Sequence, residues 1–239
     1  MTRRPATTIA TVPKSDAPST PRSKRTASPL RAVDGRVPGR RGLATRQRLL
    51  DCTIELLSST PYRDLKVTDI TRAAGTSPAT FYQYFVDLET VLLAVAERTA
   101  EEGQALVALN AGQPWTGAAG VASAERLVDA FIEFWRTHRP TLRVIDLLST
   151  EGDKRFRHTR VLMLNGMTKA LAAEIEAVQG KDCEVDPMAM AGSLIGMLPQ
   201  MAGHQGGFEA WDISFAHVRD AMIRLIYWGV NGPKVPRPR

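Results

Sequence analysis

A chain of 239 residues, 44% hydrophobic and 23% charged, has the make-up of a folded globular protein, long enough to bury one large core or two modest ones. That balance excludes a collagen-like or membrane-spanning chain: the most apolar window, residues 188–203, is broken by Ser193, Pro199 and Gln200 and is shorter than the roughly 20 residues a spanning helix needs. The net charge of +6 is gathered near the N-terminus, where residues 1–42 hold ten Lys or Arg against Asp16 and Asp34, leaving the remainder slightly acidic.

Residues 1–42 are rich in Pro, Ser and Thr as well as Arg. Such a stretch cannot bury enough apolar surface to offset its ordering entropy, so a disordered basic arm is expected, with a polyanion as its natural partner. A solubilising tail or an Arg- and Ser-rich targeting peptide are the competing readings; prolines that break any amphipathic helix weigh against the second. After Gly42 the apolar spacing is helical throughout. Leu49, Leu50, Ile54, Leu56 and Leu57 predict a first helix over 43–59, ended by Pro61. A second, over 66–74, sets Val67, Ile70 and Ala74 on one face with Asp69 in its first turn, and Gly75 stops it as a left-handed cap.

Ser77 and Pro78 restart the chain, Ser as an N-cap and Pro preset for the first helical position. In this third helix Phe81 and Phe85 point inward, leaving Ala79, Thr80, Tyr82, Gln83 and Tyr84 on or beside the open face. Asp87 caps a fourth helix over 88–110. A loop containing Gly112, Gly117 and Gly120 then leads to helices over 122–138, 141–149, 153–179, 187–203 and 212–229. The expected fold is all-α: a three-helix N-terminal module over 43–88, a larger helical domain over 89–230 and a flexible tail over 231–239.

Two short helices joined by a tight Gly-containing turn, the second exposing small and polar side chains, are the ingredients of a DNA-reading helix-turn-helix. A generic helical hairpin gives much the same apolar pattern. The run Val67-Thr68-Asp69-Ile70-Thr71-Arg72-Ala73-Ala74-Gly75-Thr76-Ser77-Pro78-Ala79-Thr80-Phe81-Tyr82-Gln83-Tyr84-Phe85, preceded by a helix over 45–59, resembles the DNA-binding domain of the TetR family. That resemblance implies a dimeric, all-helical repressor whose three N-terminal helices bind DNA while the rest forms a ligand-binding and dimerisation domain. It also implies phosphate contacts at Thr68, Tyr82 and Tyr84 and base contacts at Pro78, Ala79, Thr80 and Gln83, with Ser77 beside them. Two positions depart from the family pattern: Leu88 stands where a Lys is usual, and Tyr84 where a His is frequent. With one cationic phosphate contact missing, compensation is expected from Arg40 and Arg41 in the arm and from Arg46. The chemistry of the residues agrees: Pro78, Ala79 and the Thr80 methyl suit thymine methyl groups, and Gln83 suits adenine.

In the body, Phe131, Phe134, Trp135, Met163 and Met167 are candidate lining for a small, largely apolar effector, with plain core as the competing reading. Gly192 and Gly196 would allow close approach of a second copy, and Ile223 and Tyr227 would line the last helix of a homodimer interface; packing within one chain competes there too. Two cysteines and four scattered histidines offer no metal spacing, and no cofactor is expected. The Gly75–Ala79 run lacks the preceding strand that a nucleophile elbow requires, so no enzyme is expected. The reading is a cytoplasmic, sequence-specific regulator that binds double-stranded DNA and no membrane, a repressor released by its effector. An activator on the same fold and a ligand-independent architectural DNA-binding protein are the alternatives.

Overall fold

Short-range signals set the first elements of the computed structural model, which describes residues 32–33, 35–180 and 183–232. Helix α1 spans Arg40–Leu57 and buries Leu49, Leu50, Thr53 and Leu57. It starts three residues before the expected position 43, so Arg40 and Arg41 lie in its first turn rather than in an arm. Gly39 sits extended at the cap, and two arginines are good helix formers. Most of the expected arm, and residues 233–239 of the expected tail, lie outside the described residues.

Helix α2, Val67–Ala73, opens with the Lys66 backbone N–H donating to Asp69 Oδ2 at 3.2 Å, and closes into Gly75, whose φ of +60° is the left-handed cap the sequence asked for. Helix α3, Pro78–Tyr84, is capped by Ser77 Oγ, which accepts the Thr80 N–H at 3.2 Å. Asp87 Oδ1 does the same for Thr90 N–H at 2.7 Å to open α4, Leu88–Gln104. The expected continuation to Asn110 is instead a tightened 3-10 segment, Ala105–Asn110, a frequent ending for an α-helix.

Where two helices were expected either side of Pro140, one helix, α5, runs over Gly117–Thr150. A proline removes one backbone bond and crowds the preceding turn, at a cost of about 3 kcal/mol. Phe131 and Trp135 before it and Leu142 and Ile145 after it are all buried in the same core, and that shared burial outweighs the break. Gly117 and Gly120 thus belong to the first turn of α5, not to a loop. Gly120 is required there, because a Cβ would fall 2.1 Å from the Trp115 carbonyl oxygen. That same carbonyl accepts Asn231 Nδ2–H at 2.9 Å, tying the loop to the end of the chain's last helix.

The remaining helices are α6, Lys154–Gln179; α7, Pro187–Gly203; the brief α8, Gln205–Glu209, which the sequence reading did not separate; and α9, Phe215–Asn231. No strand occurs among the described residues. Helix α5 is central, packing against α4, α6, α7 and α9. One apolar cluster extends from Leu49 on α1 to Val230 on α9, within a single unit, Arg31–Arg239.

Ion pairs fasten the α1–α3 head to this body. Arg98 on α4 donates to Asp51 on α1 at 2.9 Å and to Glu102 at 3.1 Å. Glu151, at the end of α5, takes the Arg63 guanidinium and the Tyr62 hydroxyl, the latter at 3.4 Å. Within the body, Arg155 on α6 reaches Glu89 at the start of α4 at 3.0 Å. No helix among the described residues is long and apolar enough to cross a membrane.

Candidate nucleic-acid interface

Helix α3 has two unlike faces. Phe81 is fully buried, with its ring centroid 5.5 Å from that of Phe85, and the pair roots the helix in the core. Pro78, Ala79, Tyr82 and Gln83 face outward, Tyr82 with 51% of its surface exposed. Thr80 is half-buried and its hydroxyl lies 3.0 Å from Ser77 Oγ, so both hydroxyls are engaged in holding the helix start. The Gln83 amide and the Tyr82 hydroxyl make no hydrogen bond among the described residues and are uncommitted polar groups of the open face.

Tyr84 is half-buried, its phenol beside Gly42, where a Cβ would come 3.1 Å from the hydroxyl oxygen. The Val33 N–H donates to the Gln83 carbonyl at 2.9 Å, so the segment leading into α1 runs beside the end of α3. Thr68 is exposed in the first turn of α2. Arg40 and Arg41 are exposed in the first turn of α1, whose N-terminal N–H groups have neither a side-chain cap nor an acidic neighbour. Free N–H groups, the positive end of the helix dipole and two guanidinium groups make that turn suited to a phosphate oxygen. Arg46 differs: its guanidinium lies 5.1 Å over the Phe85 ring, and burial pulls its pKa below the ordinary value against the opposing pull of Glu97. It serves the packing of α1 on α3, a role that helical spacing did not reveal.

In the body, Phe131, Phe134, Trp135, Met163 and Met167 are all buried and brought into one core between α5 and α6. The Trp135 Nε1–H is sealed from solvent without a hydrogen-bond partner. Its ring faces Gly203 on α7, where a Cβ would come within 3.1 Å. Nearby, His138 Nε2 lies 3.4 Å from Glu102; burial pushes the imidazole pKa below its ordinary value, against the opposing pull of the carboxylate.

Two pockets open elsewhere, one of about 330 Å³ between the end of α6 and the start of α7, and one of about 650 Å³ among α5, α6 and α7. None of the five candidate effector residues lines either, and no periodicity in the sequence marks them. Gly192 and Gly196 are exposed on α7 and Tyr227 is half-buried on α9. Ile223 does not join them: it is buried in the chain's own core, and the apolar groups that α9 turns outward are Leu225 and Trp228. No group of three or more His, Cys, Asp or Glu among the described residues is placed to hold a metal ion.

Family models match both parts of the chain. The model for bacterial regulatory proteins of the tetR family covers residues 49–95, and that for the tetracyclin repressor-like C-terminal domain covers residues 106–237. No curated protein sequence matches significantly. Among solved structures, the fatty acid degradation regulator FadR from Bacillus halodurans is 16% identical with a TM-score of 0.62, over 80% of this chain and 97% of that one. A tetR-family transcriptional regulator from Streptomyces coelicolor is 15% identical with a TM-score of 0.60, over 77% and 79%. FadR from Bacillus subtilis, in complex with stearoyl-CoA, is 14% identical with a TM-score of 0.57, over 77% and 98%.

Proposed function

The chain belongs to the TetR family of bacterial regulatory proteins, and from that premise we propose that it is a repressor: a homodimer that holds double-stranded operator DNA with two copies of α3 and releases it when a small, largely apolar effector enters the body. The observation that carries the DNA-binding part is the two-sidedness of α3, rooted by Phe81 and Phe85 and open at Pro78, Ala79 and Gln83. Methyl and ring surface at the first two suits thymine, and the free amide of Gln83 suits the N6 and N7 edge of adenine. Thr68, Tyr82, Tyr84 and the first turn of α1 take phosphates. The basic residues that precede α1 add sequence-independent affinity.

The effector part rests on Trp135. A buried N–H without a partner costs about 1–3 kcal/mol, and a ligand acceptor would recover it inside an apolar lining of Phe131, Phe134, Met163 and Met167. The acyl chain of the stearoyl-CoA bound by the Bacillus subtilis neighbour is of this apolar kind. Exposed Gly192 and Gly196 on α7, with Leu225, Trp228 and half-buried Tyr227 on α9, give small and large surfaces that two copies can interleave.

The test is to select an operator from random DNA with the full chain and set it before a reporter gene. Repression that stearoyl-CoA relieves is expected; reporter output that rises with the protein would make it an activator, and selection that yields no shared sequence would make it architectural. Deleting residues 1–31 should flatten the slope of log affinity against log salt, each lost phosphate contact removing about 0.9 from it.

A further inference from the structure

The pocket of about 650 Å³ lies outside the apolar interior assigned above, walled by Asp146, Leu147, Ser149 and Thr150 at the end of α5, Arg157, Arg160 and Val161 on α6, and part of α7. We propose that it binds an amphipathic organic anion and that its occupancy bears on the reading head; the second clause rests on the repressor reading.

The lining is chemically divided. Arg157 and Arg160 are three apart on one face of α6. The Arg160 Nε–H donates to Asp146 Oδ1 at 2.9 Å, which fixes that guanidinium while its terminal nitrogens stay uncommitted among the described residues. Arg157 has no side-chain partner there at all. Two guanidinium groups against one carboxylate leave this wall cationic, and a guanidinium fork matches carboxylate or phosphate oxygens. The Ser149 hydroxyl adds a buried group without a partner. Beside these, Leu147 and Val161 are 39% and 56% exposed, next to Pro199. A bare anion would leave that apolar surface wet, and a bare hydrocarbon would leave the arginines without a counter-charge. An anionic head on a short alkyl body satisfies both.

The position of the pocket gives it a route to the head. Thr150 is the last residue of α5, and the next one, Glu151, holds Arg63 and Tyr62 in the loop that feeds α2. Arg157 is two residues beyond Arg155, which holds Glu89 at the start of α4. A ligand drawing Ser149 and Arg157 together therefore acts directly on the turn that carries the Glu151 fastening, and through Arg155 and Glu89 on α4, the helix that carries the Arg98 fastening.

The experiment titrates the full-length protein, in its solution oligomer, with octanoate, octyl phosphate, octanol and inorganic phosphate by calorimetry. At least one of the two amphiphiles should bind about tenfold or more tightly than octanol and inorganic phosphate, and the preferred head tells a carboxylate from a phosphate ligand. Equal binding of octanol, or no binding of either amphiphile at millimolar concentration because a partner copy on α7 closes the mouth, overturns the proposal. Arg157→Gln alters an exposed, unpaired side chain, and with Arg160→Gln should remove at least about tenfold of that affinity; either variant binding like the parent overturns it. Trp135→Phe distinguishes the two sites. If it abolishes amphiphile binding and Arg157→Gln does not, the ligand sits in the interior, and the pocket fails while the effector reading stands. Glu151→Gln should keep amphiphile binding but lessen its effect on operator affinity; an undiminished effect overturns the route to the head.

Discussion

Helix α3 and helix α5 are held by opposite kinds of information. Seven residues are too few to persist as a helix alone, and α3 is defined at its ends, by Ser77, Pro78 and the Gly75 turn before them. Helix α5 has 34 residues, no side-chain N-cap and a proline inside it, yet it runs unbroken because buried side chains recur along its length. Punctuation makes the one and packing makes the other. A reader of DNA needs a helix that stands proud of the core, so little packing is available to it; a central scaffold helix has packing to spare.

Substitutions on either side of that contrast have unequal expected costs. The largest is Phe81→Ala, which removes the main packing that α3 does have and should cost about 3–5 kcal/mol in denaturant unfolding, with operator binding lost. Pro140→Ala should move stability the other way, by as much as about 3 kcal/mol, since packing already holds α5 straight through the missing bond. A lower melting temperature in that variant would mean that the proline shapes the helix instead of being tolerated by it. Gln83→Ala should leave stability alone and cost about 1–3 kcal/mol of operator affinity at one base position, whereas Tyr82→Phe should weaken all sequences alike in a competition titration.

Ser77→Ala and Ser214→Ala remove the same kind of cap, from α3 and α9, at about 1 kcal/mol each. Only the first should also weaken DNA binding; equal losses would show that α3 does not depend on its cap. The smallest effect concerns pH. Hydrogen bonds from Arg155 hold the Asp153 pKa down at about 2, so its contribution to stability is present above the ordinary carboxylate range and fades as pH falls toward 2. Urea midpoints followed from about pH 5 downward should drop less steeply in Asp153→Asn.

The same contrast explains what could be read from residues alone. Caps, turns and the inward pair Phe81 and Phe85 are local, and the sequence carried them almost residue by residue. Pro140 obeyed a local rule that nonlocal burial overruled. Arg46 and Ile223 show the limit at the level of sites: periodicity put them on particular faces but could not say that the Phe85 ring would occupy one and the chain's own core the other. The arginine-lined pocket joins the turn between α5 and α6 to the far end of α7, so no short window of residues contains it.

The head is also a mechanical part. Arg98 grips it through Asp51, and Glu151 grips it through Arg63 and Tyr62. The apolar contact of α1 with α4 carries the head, and the two pins steady it, as latches steady a door on its hinge. Each pin is a surface ion pair worth at most about 1 kcal/mol and weakened by salt. Losing the latches leaves the head hung on its apolar seam alone, with a little more swing. In the proposed dimer, the spacing of two such doors would be trimmed by fastenings weak enough for a modest ligand to undo.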